Sequence, residues 1–253
     1  MCGIVGIVSN KSVSSNIIGA LKKLEYRGYD SAGISTISNG MINEQKCSGR
    51  VDNLEKILFQ KPSDGEIGIG HVRWATHGIP NQVNAHPHSS EVVSVVHNGI
   101  IENSDKLRKE YISKGYKFKS QTDTEVITVM LTDFLKNEDL INCIHKTLEK
   151  LEGSFALGVI FKDFENVVVG ARRGSPLAVG YGHNENFIGS DSYALKSMTN
   201  KISYLDDGDF CLLYKEKVEF YNSNKKKINK EIFEMSNEDN IVDKGDFKDF
   251  MSK

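Results

Sequence analysis

Strand-like segments open and close this chain, and helical ones fill its middle. That order most constrains the fold. The unbroken apolar run Ile4-Val5-Gly6-Ile7-Val8 reads as a buried strand. Apolar residues at 13, 17, 18, 21 and 24 then follow helical spacing. A polar, glycine-punctuated loop is expected over 25–33 and a short strand over 34–37, before Asn39-Gly40, a strong two-residue hairpin signal. A weak strand and a helix around 53–59 lead to Lys61-Pro62. Residues 67–71 and 92–96 are β-rich, and the second run is expected to stop at His97-Asn98-Gly99. Helices are expected from Ser104 to about 113, from Thr122-Asp123-Thr124-Glu125, which has the capping-box form, and over 139–151. Six short strands follow, over 155–161, 167–171, 177–181, 187–190, 210–214 and 218–221. Strands, then helices, then strands imply an α+β domain over residues 2–221 rather than a βαβ repeat. The pattern leaves the order of layers open. From Asn222 charge rises and hydrophobes thin, so 222–253 reads as a tail or linker with at most one short ordered piece.

Composition removes several function classes. Of 253 residues 39% are hydrophobic and 26% charged, with a net charge of -2, the balance of an ordinary globular chain. No basic block interleaved with aromatics appears, which argues against nucleic acid. No apolar stretch reaches the roughly 18–20 residues a membrane span needs. Cys2, Cys47, Cys143 and Cys211 are scattered without a CxxC pair, as free thiols in a reducing cytoplasm would be. His71, His77, His86, His88 and His97 crowd a short stretch, but their spacing matches no HxxxH or HExxH pattern, so neither a metal nor another cofactor is expected.

Met1-Cys2-Gly3 carries the chemistry. Cys2 is small enough for the initiator methionine to be trimmed. One residue would then hold a thiol and a free α-amine, whose ordinary pKa of about 7.7–8.0 suits a base near neutral pH. A thiol of pKa about 8.5 needs such activation to become the nucleophilic thiolate. Amide hydrolysis by that thiolate also requires an oxyanion hole and a clamp. Asn98 offers a side-chain NH2 and Gly99 an approachable N–H, although Asn-Gly is equally a turn dipeptide. Arg73 suits an α-carboxylate and Asp123 an α-ammonium. The alternatives are a surface arginine at a strand end and an acid complementing a helix dipole. Trp74, the only tryptophan, reads either as a lid or as a plug at a core edge.

A set of longer motifs occurs in order: Cys2-Gly3-Ile4-Val5-Gly6, Tyr26-Arg27-Gly28-Tyr29-Asp30-Ser31-Ala32-Gly33, Arg73-Trp74-Ala75-Thr76-His77-Gly78, Asn84-Ala85-His86-Pro87-His88, His97-Asn98-Gly99-Ile100-Ile101-Glu102-Asn103, Thr122-Asp123-Thr124-Glu125 and Gly174-Ser175-Pro176-Leu177. Together they resemble the glutaminase domain of the glutamine–fructose-6-phosphate aminotransferases, class II glutamine amidotransferases of the N-terminal nucleophile hydrolase fold. The Tyr29-Asp30 pair resembles these enzymes rather than the purine-pathway amidophosphoribosyltransferases. The resemblance implies a four-layer αββα sandwich and a catalytic Cys2 whose α-amine is the base. It implies Asn98 and Gly99 as oxyanion hole. It further implies L-glutamine bound by Arg73, Thr76, His77 and Asp123, with Trp74 on the closing loop. Arg27 and Gly28 would orient the terminus. Family members continue into two sugar-phosphate isomerase domains, which use the ammonia. This sequence ends near where that connection begins, so glutaminase chemistry alone, and a monomer, are expected of it.

Overall fold

The computed structural model describes residues 2–75 and 78–235. In chain order the elements are β1 (Gly3–Val8), α1 (Ser14–Lys23), a 3₁₀ turn (Glu25–Arg27), β2 (Ser31–Ser38), β3 (Met41–Ser48), α2 (Val51–Gln60), β4 (Ile67–Arg73), β5 (His88–Ser89), β6 (Val93–Ile101), α3 (Ser104–Ser113), α4 (Glu125–Phe134), α5 (Leu140–Lys150), β7 (Gly153–Phe161), β8 (Val168–Arg173), β9 (Ala178–Tyr181), β10 (Asn186–Gly189), α6 (Ser192–Leu195), β11 (Lys201–Tyr204), β12 (Phe210–Leu213), β13 (Val218–Tyr221), β14 (Lys227–Ile228) and β15 (Phe233–Glu234). They build two antiparallel sheets, ordered β15-β11-β9-β10-β1-β4-β2-β3 and β14-β13-β12-β8-β7-β6-β5.

The layer order follows from which residues share a core. Ile4 and Val8 of β1 pack with Val96, Ala156, Ile160 and Ile188 between the sheets. Val5 and Ile7, facing the other way, pack with Ile17, Leu21 and Leu54 from α1 and α2. Beyond the second sheet, Val95, Phe155 and Leu157 pack with Tyr111, Val126, Met130 and Ile144 from α3, α4 and α5. The result is the expected αββα sandwich. It explains why β1 is apolar at every position but its glycines: a strand covered on both faces has no solvent side to mark with polar residues.

Local structure departs from the sequence reading at several places, among them β11 and α6, which it did not expect. The loop expected through residue 33 ends earlier, and β2 starts at Ser31 because its backbone pairs with both β3 and β4. Asn39 and Gly40 do form the hairpin turn, with φ of 52° and 69°. β6 does not stop at His97 but runs through Asn98 and Gly99 to Ile101, paired with β7 throughout; Asn98-Gly99 is thus not a turn. The capping box does not form, since Thr124 caps α4 without a side-chain hydrogen bond. Instead Glu125 reaches back to accept from the backbone N–H groups of Lys119 and Ser120. Finally, pairing continues beyond Tyr221: β14 adds to β13 and β15 to β11, at the far edge of each sheet.

Candidate functional site

Strand register brings the site together. β1 runs antiparallel to β4 with Ile4 opposite His71, and opposed residues share a face. Ile4 faces the inter-sheet layer, so Cys2, two residues earlier, and Arg73, two residues after His71, face it as well. On β6, Val96 belongs to the same layer, and Asn98 follows it by two. Four chemistry-bearing residues from two sheets thereby meet at one end of the sandwich. The remaining contributor, Asp123, comes from the turn before α4, where its Oδ2 accepts the Ile101 N–H at 2.8 Å.

Cys2 is held by its own backbone. Its carbonyl oxygen accepts from Arg27 Nε and from Asn98 Nδ2, each at 2.9 Å. Arg27 is in turn steadied by Asp191, 3.5 Å from Nη1, whose Oδ2 also accepts from the Tyr26 hydroxyl. The thiol sits against the backbone of Trp74, accepting its N–H at 3.3 Å and pointing at its carbonyl at 3.5 Å. Burial pushes the thiol pKa up, opposed by the Trp74 N–H and by Arg73. A buried thiol of this kind stays protonated at neutral pH until a base takes its proton.

Cys2, Arg73, Trp74, Gly99 and Asp123 line one narrow cleft, with His86, His97, Thr122 and Thr124 behind them. Arg73 is nearly fully buried, and its Nη2 donates to Gly78 O at 3.3 Å. Trp74 is exposed, with its ring edge-on to Tyr29 at 5.9 Å. Thr76 and His77 lie outside the described residues. Gly28 and Gly99 are both places where a side chain cannot go. A Cβ on Gly28 would lie 2.6 Å from the Arg73 carbonyl, and one on Gly99 2.0 Å from the Ser154 oxygen, at a φ of 125°. A wider concavity of about 700 Å³, lined by Lys46, His88, Tyr116 and Glu125 among others, holds none of Cys2, Arg73 or Asp123.

Several participants had no role assigned to them by the sequence. Asp30 accepts from the Ala75 N–H and donates its own N–H to Arg73 O at 3.1 Å, which shapes the turn after β4. Arg108 donates to Ser120 O and Thr122 O and braces the segment bearing Asp123. Asn84 ties the 78–84 turn to Gln121. The histidines form a buried stack: His71 lies on His86 at 4.2 Å, His86 meets His88 edge-on at 4.8 Å, and His86 and His97 are 6.5 Å apart. Burial lowers the pKa of His71 to about 3 and that of His86 and His88 well below 6.5. Among the described residues no group of three or more His, Cys, Asp or Glu is arranged to hold a metal ion, and no helix is long and apolar enough to cross a membrane.

Comparison with known proteins bears on this geometry. The glutamine amidotransferase domain family matches residues 71–197. The chain is 48% identical over 254 residues to a glutamine–fructose-6-phosphate aminotransferase (isomerizing) of Mesorhizobium japonicum, covering all of this chain and 42% of that one. It is also 48% identical over 255 residues to the enzyme of that name from Clostridium acetobutylicum, with the same coverage. The chain thus spans about two fifths of the length of the curated relatives it matches. Among solved structures, a B. subtilis glutamine phosphoribosylpyrophosphate amidotransferase superposes with a TM-score of 0.76 at 22% identity, over 88% of this chain and 49% of that one. A glutamine aminotransferase class-II domain protein from Silicibacter pomeroyi superposes at 0.62 and 12% identity, over 87% and 99%. These two likenesses bear on the fold.

Proposed function

The chain belongs to the glutamine amidotransferase domain family, and from that premise we propose that it hydrolyses the side-chain amide of L-glutamine through a thioester on Cys2. The observation that carries this reading is the convergence of Cys2, Arg73, Gly99 and Asp123 on one cleft, with Asn98 hydrogen-bonded to the nucleophile's own carbonyl.

Loss of Met1 frees the α-amine of Cys2. Because burial holds the thiol protonated, that amine is the base that makes the thiolate. Sγ attacks the amide carbon, and the oxyanion is met by Asn98 Nδ2 and the Gly99 N–H, donors fixed in a paired strand before reaction begins. The amine returns its proton to the departing nitrogen, and ammonia leaves. Water then attacks the γ-glutamyl thioester, glutamate departs, and the thiol is restored. Arg73 takes the substrate α-carboxylate and Asp123 its α-ammonium. Thr76 and His77 complete the glutamine site, and Trp74 closes over it. Arg27 and Gly28 hold the terminus: the first by its bond to Cys2 O, the second by letting the chain pass against Arg73.

The ammonia is destined for fructose 6-phosphate in a partner isomerase half. Identity of 48% along the whole chain supports this acceptor, whereas the likeness to the phosphoribosylpyrophosphate enzyme bears only on fold. The domain works in the cytoplasm and, by itself, as a monomer. The test is glutamate release by the wild type, by Cys2→Ala and by a form that retains Met1. Only the wild type should turn over; comparable rates in either variant would overturn the mechanism.

A further inference from the structure

We propose that His71 is a positioning residue for the oxyanion hole: its Nε2–H binds the carboxamide oxygen of Asn98 and so turns the Asn98 Nδ2 toward Cys2. The proposal rests on the glutaminase reading above and assigns a duty to a side chain that reading leaves idle.

The two ends of an asparagine amide are nearly equal in shape, so volume does not decide which end faces the nucleophile. Hydrogen bonding does. His71 Nε2 lies 3.0 Å from His97 O and 3.1 Å from Asn98 Oδ1. Both partners are oxygens that only accept. Nε2 must therefore carry the ring proton and donate to both, which leaves Nδ1 with the lone pair. Nδ1 finds no hydrogen-bond partner among the described residues, so nothing competes for the other tautomer. Rotating the Asn98 amide by half a turn would set its NH2 against the His71 N–H. It would also set its oxygen beside the Cys2 carbonyl, which now accepts from Nδ2 at 2.9 Å. Two repulsions would replace two hydrogen bonds. A growing oxyanion would then meet a carbonyl oxygen instead of a donor.

The ring itself is immobilised. It is fully buried on β4 and stacked on His86 with 23° between the planes. His86 is fixed in turn: its Nδ1 accepts the His97 backbone N–H at 3.3 Å, so its Nε2 carries a proton and donates to Thr124 Oγ1 at 3.3 Å. Thr124 then donates to His97 Nδ1 at 2.9 Å. Deep burial keeps the His71 imidazole neutral, as a ring with one proton to place must be. The chain of bonds runs from Thr124, at the N-terminus of α4, through the histidines to the amide at the nucleophile.

His71→Met and His71→Gln test this as a pair, because they match in length and flexibility while only glutamine offers a donor near the place of Nε2. In His71→Met, kcat for glutamate release should fall roughly ten- to hundredfold with KM within about threefold of wild type. His71→Gln should recover most of the loss. In His71→Met/Asn98→Ala the losses should not multiply, since the histidine acts only through that amide. Alkylation of Cys2 by iodoacetamide, which needs no oxyanion hole, should proceed at the wild-type rate in both single variants. Equal kcat in the Met and Gln forms, multiplying losses, or a parallel fall in alkylation would overturn the proposal. The wild-type protein gives a reading that no folding defect can obscure: ¹⁵N NMR of the His71 ring should place its proton on Nε2, and a proton on Nδ1 would refute the assignment. If the wild type released no glutamate, the glutaminase reading would fail, and the tautomer result would still stand or fall separately.

Discussion

Acidification should destabilise this fold through its buried histidines well before its carboxylates titrate. His71 is the best-defined case. Burial lowers its pKa from 6.5 to about 3, although its bonds to His97 and Asn98 pull the other way. The sign follows from linkage. Below pH 6.5 the unfolded chain protonates this ring and the folded chain does not, so each step down in pH favours unfolding until about pH 3. One pKa unit corresponds to about 1.4 kcal/mol, and integrating from pH 7 to pH 5.5 gives a loss of roughly 1.3 kcal/mol for His71 alone. His86 and His88, lowered by the same burial, add losses of the same sign. Glu219, held near 2 by Lys217 and Lys227, stabilises above its ordinary 4.5 and loses that contribution only as pH falls below it, outside this window. The assay is urea unfolding at pH 7.0, 6.0 and 5.5, with the number of protons taken up on unfolding measured at pH 5.5. Stability should drop by at least about 1.3 kcal/mol, with uptake of one proton or more. Equal or greater stability at pH 5.5 would refute the buried, neutral histidine stack.

Three substitutions probe the cleft itself. Gly99→Ala forces a Cβ against Ser154 O at a φ that side chains avoid. Its melting temperature should fall by an amount corresponding to about 1–3 kcal/mol, and kcat should fall about a hundredfold as the N–H shifts; wild-type melting would contradict the close approach. Arg73→Ala should raise KM for glutamine roughly ten- to hundredfold, the weight of a charge-assisted hydrogen bond. Glutamine analogues lacking the α-carboxylate should be affected far less, and an unchanged KM would remove Arg73 from the clamp. Arg27→Ala frees the Cys2 carbonyl from one of its two donors and should lower kcat about tenfold with little change in melting; an undiminished kcat would show that Asn98 alone fixes the terminus.

How much of this was legible in the sequence varies with range. Periodicities of 3.6 and 2 are local, so α1, α5 and β1 emerge close to their observed bounds. The Asn39-Gly40 turn is equally local, since its two positive φ values follow from those residue types. Asn98-Gly99 misleads because the same dipeptide that makes turns is here straightened by nine paired positions on β7. Thr122-Asp123-Thr124-Glu125 misleads in a similar way: tertiary partners claim its side chains, His88 taking Thr122 and the Ile101 N–H taking Asp123. The short edge strands β14 and β15 escape notice because two-residue pairing leaves no pattern. The roles of His71, Asp30 and Asp191 depend on contacts between residues 27 to 165 positions apart or on backbone geometry at the β4 turn, which spacing does not encode. The family motifs supplied what spacing could not, by marking which of these residues belong together.

The proposed mechanism requires Cys2, as the N-terminal residue, to be the nucleophile. Mass spectrometry of the intact protein tests it most directly, before and after treatment with an electrophilic glutamine analogue. The mass should lack Met1, and a single adduct should form on Cys2 in parallel with loss of glutamate release. Turnover by protein that retains Met1, or loss of activity with the adduct elsewhere than Cys2, would contradict the mechanism.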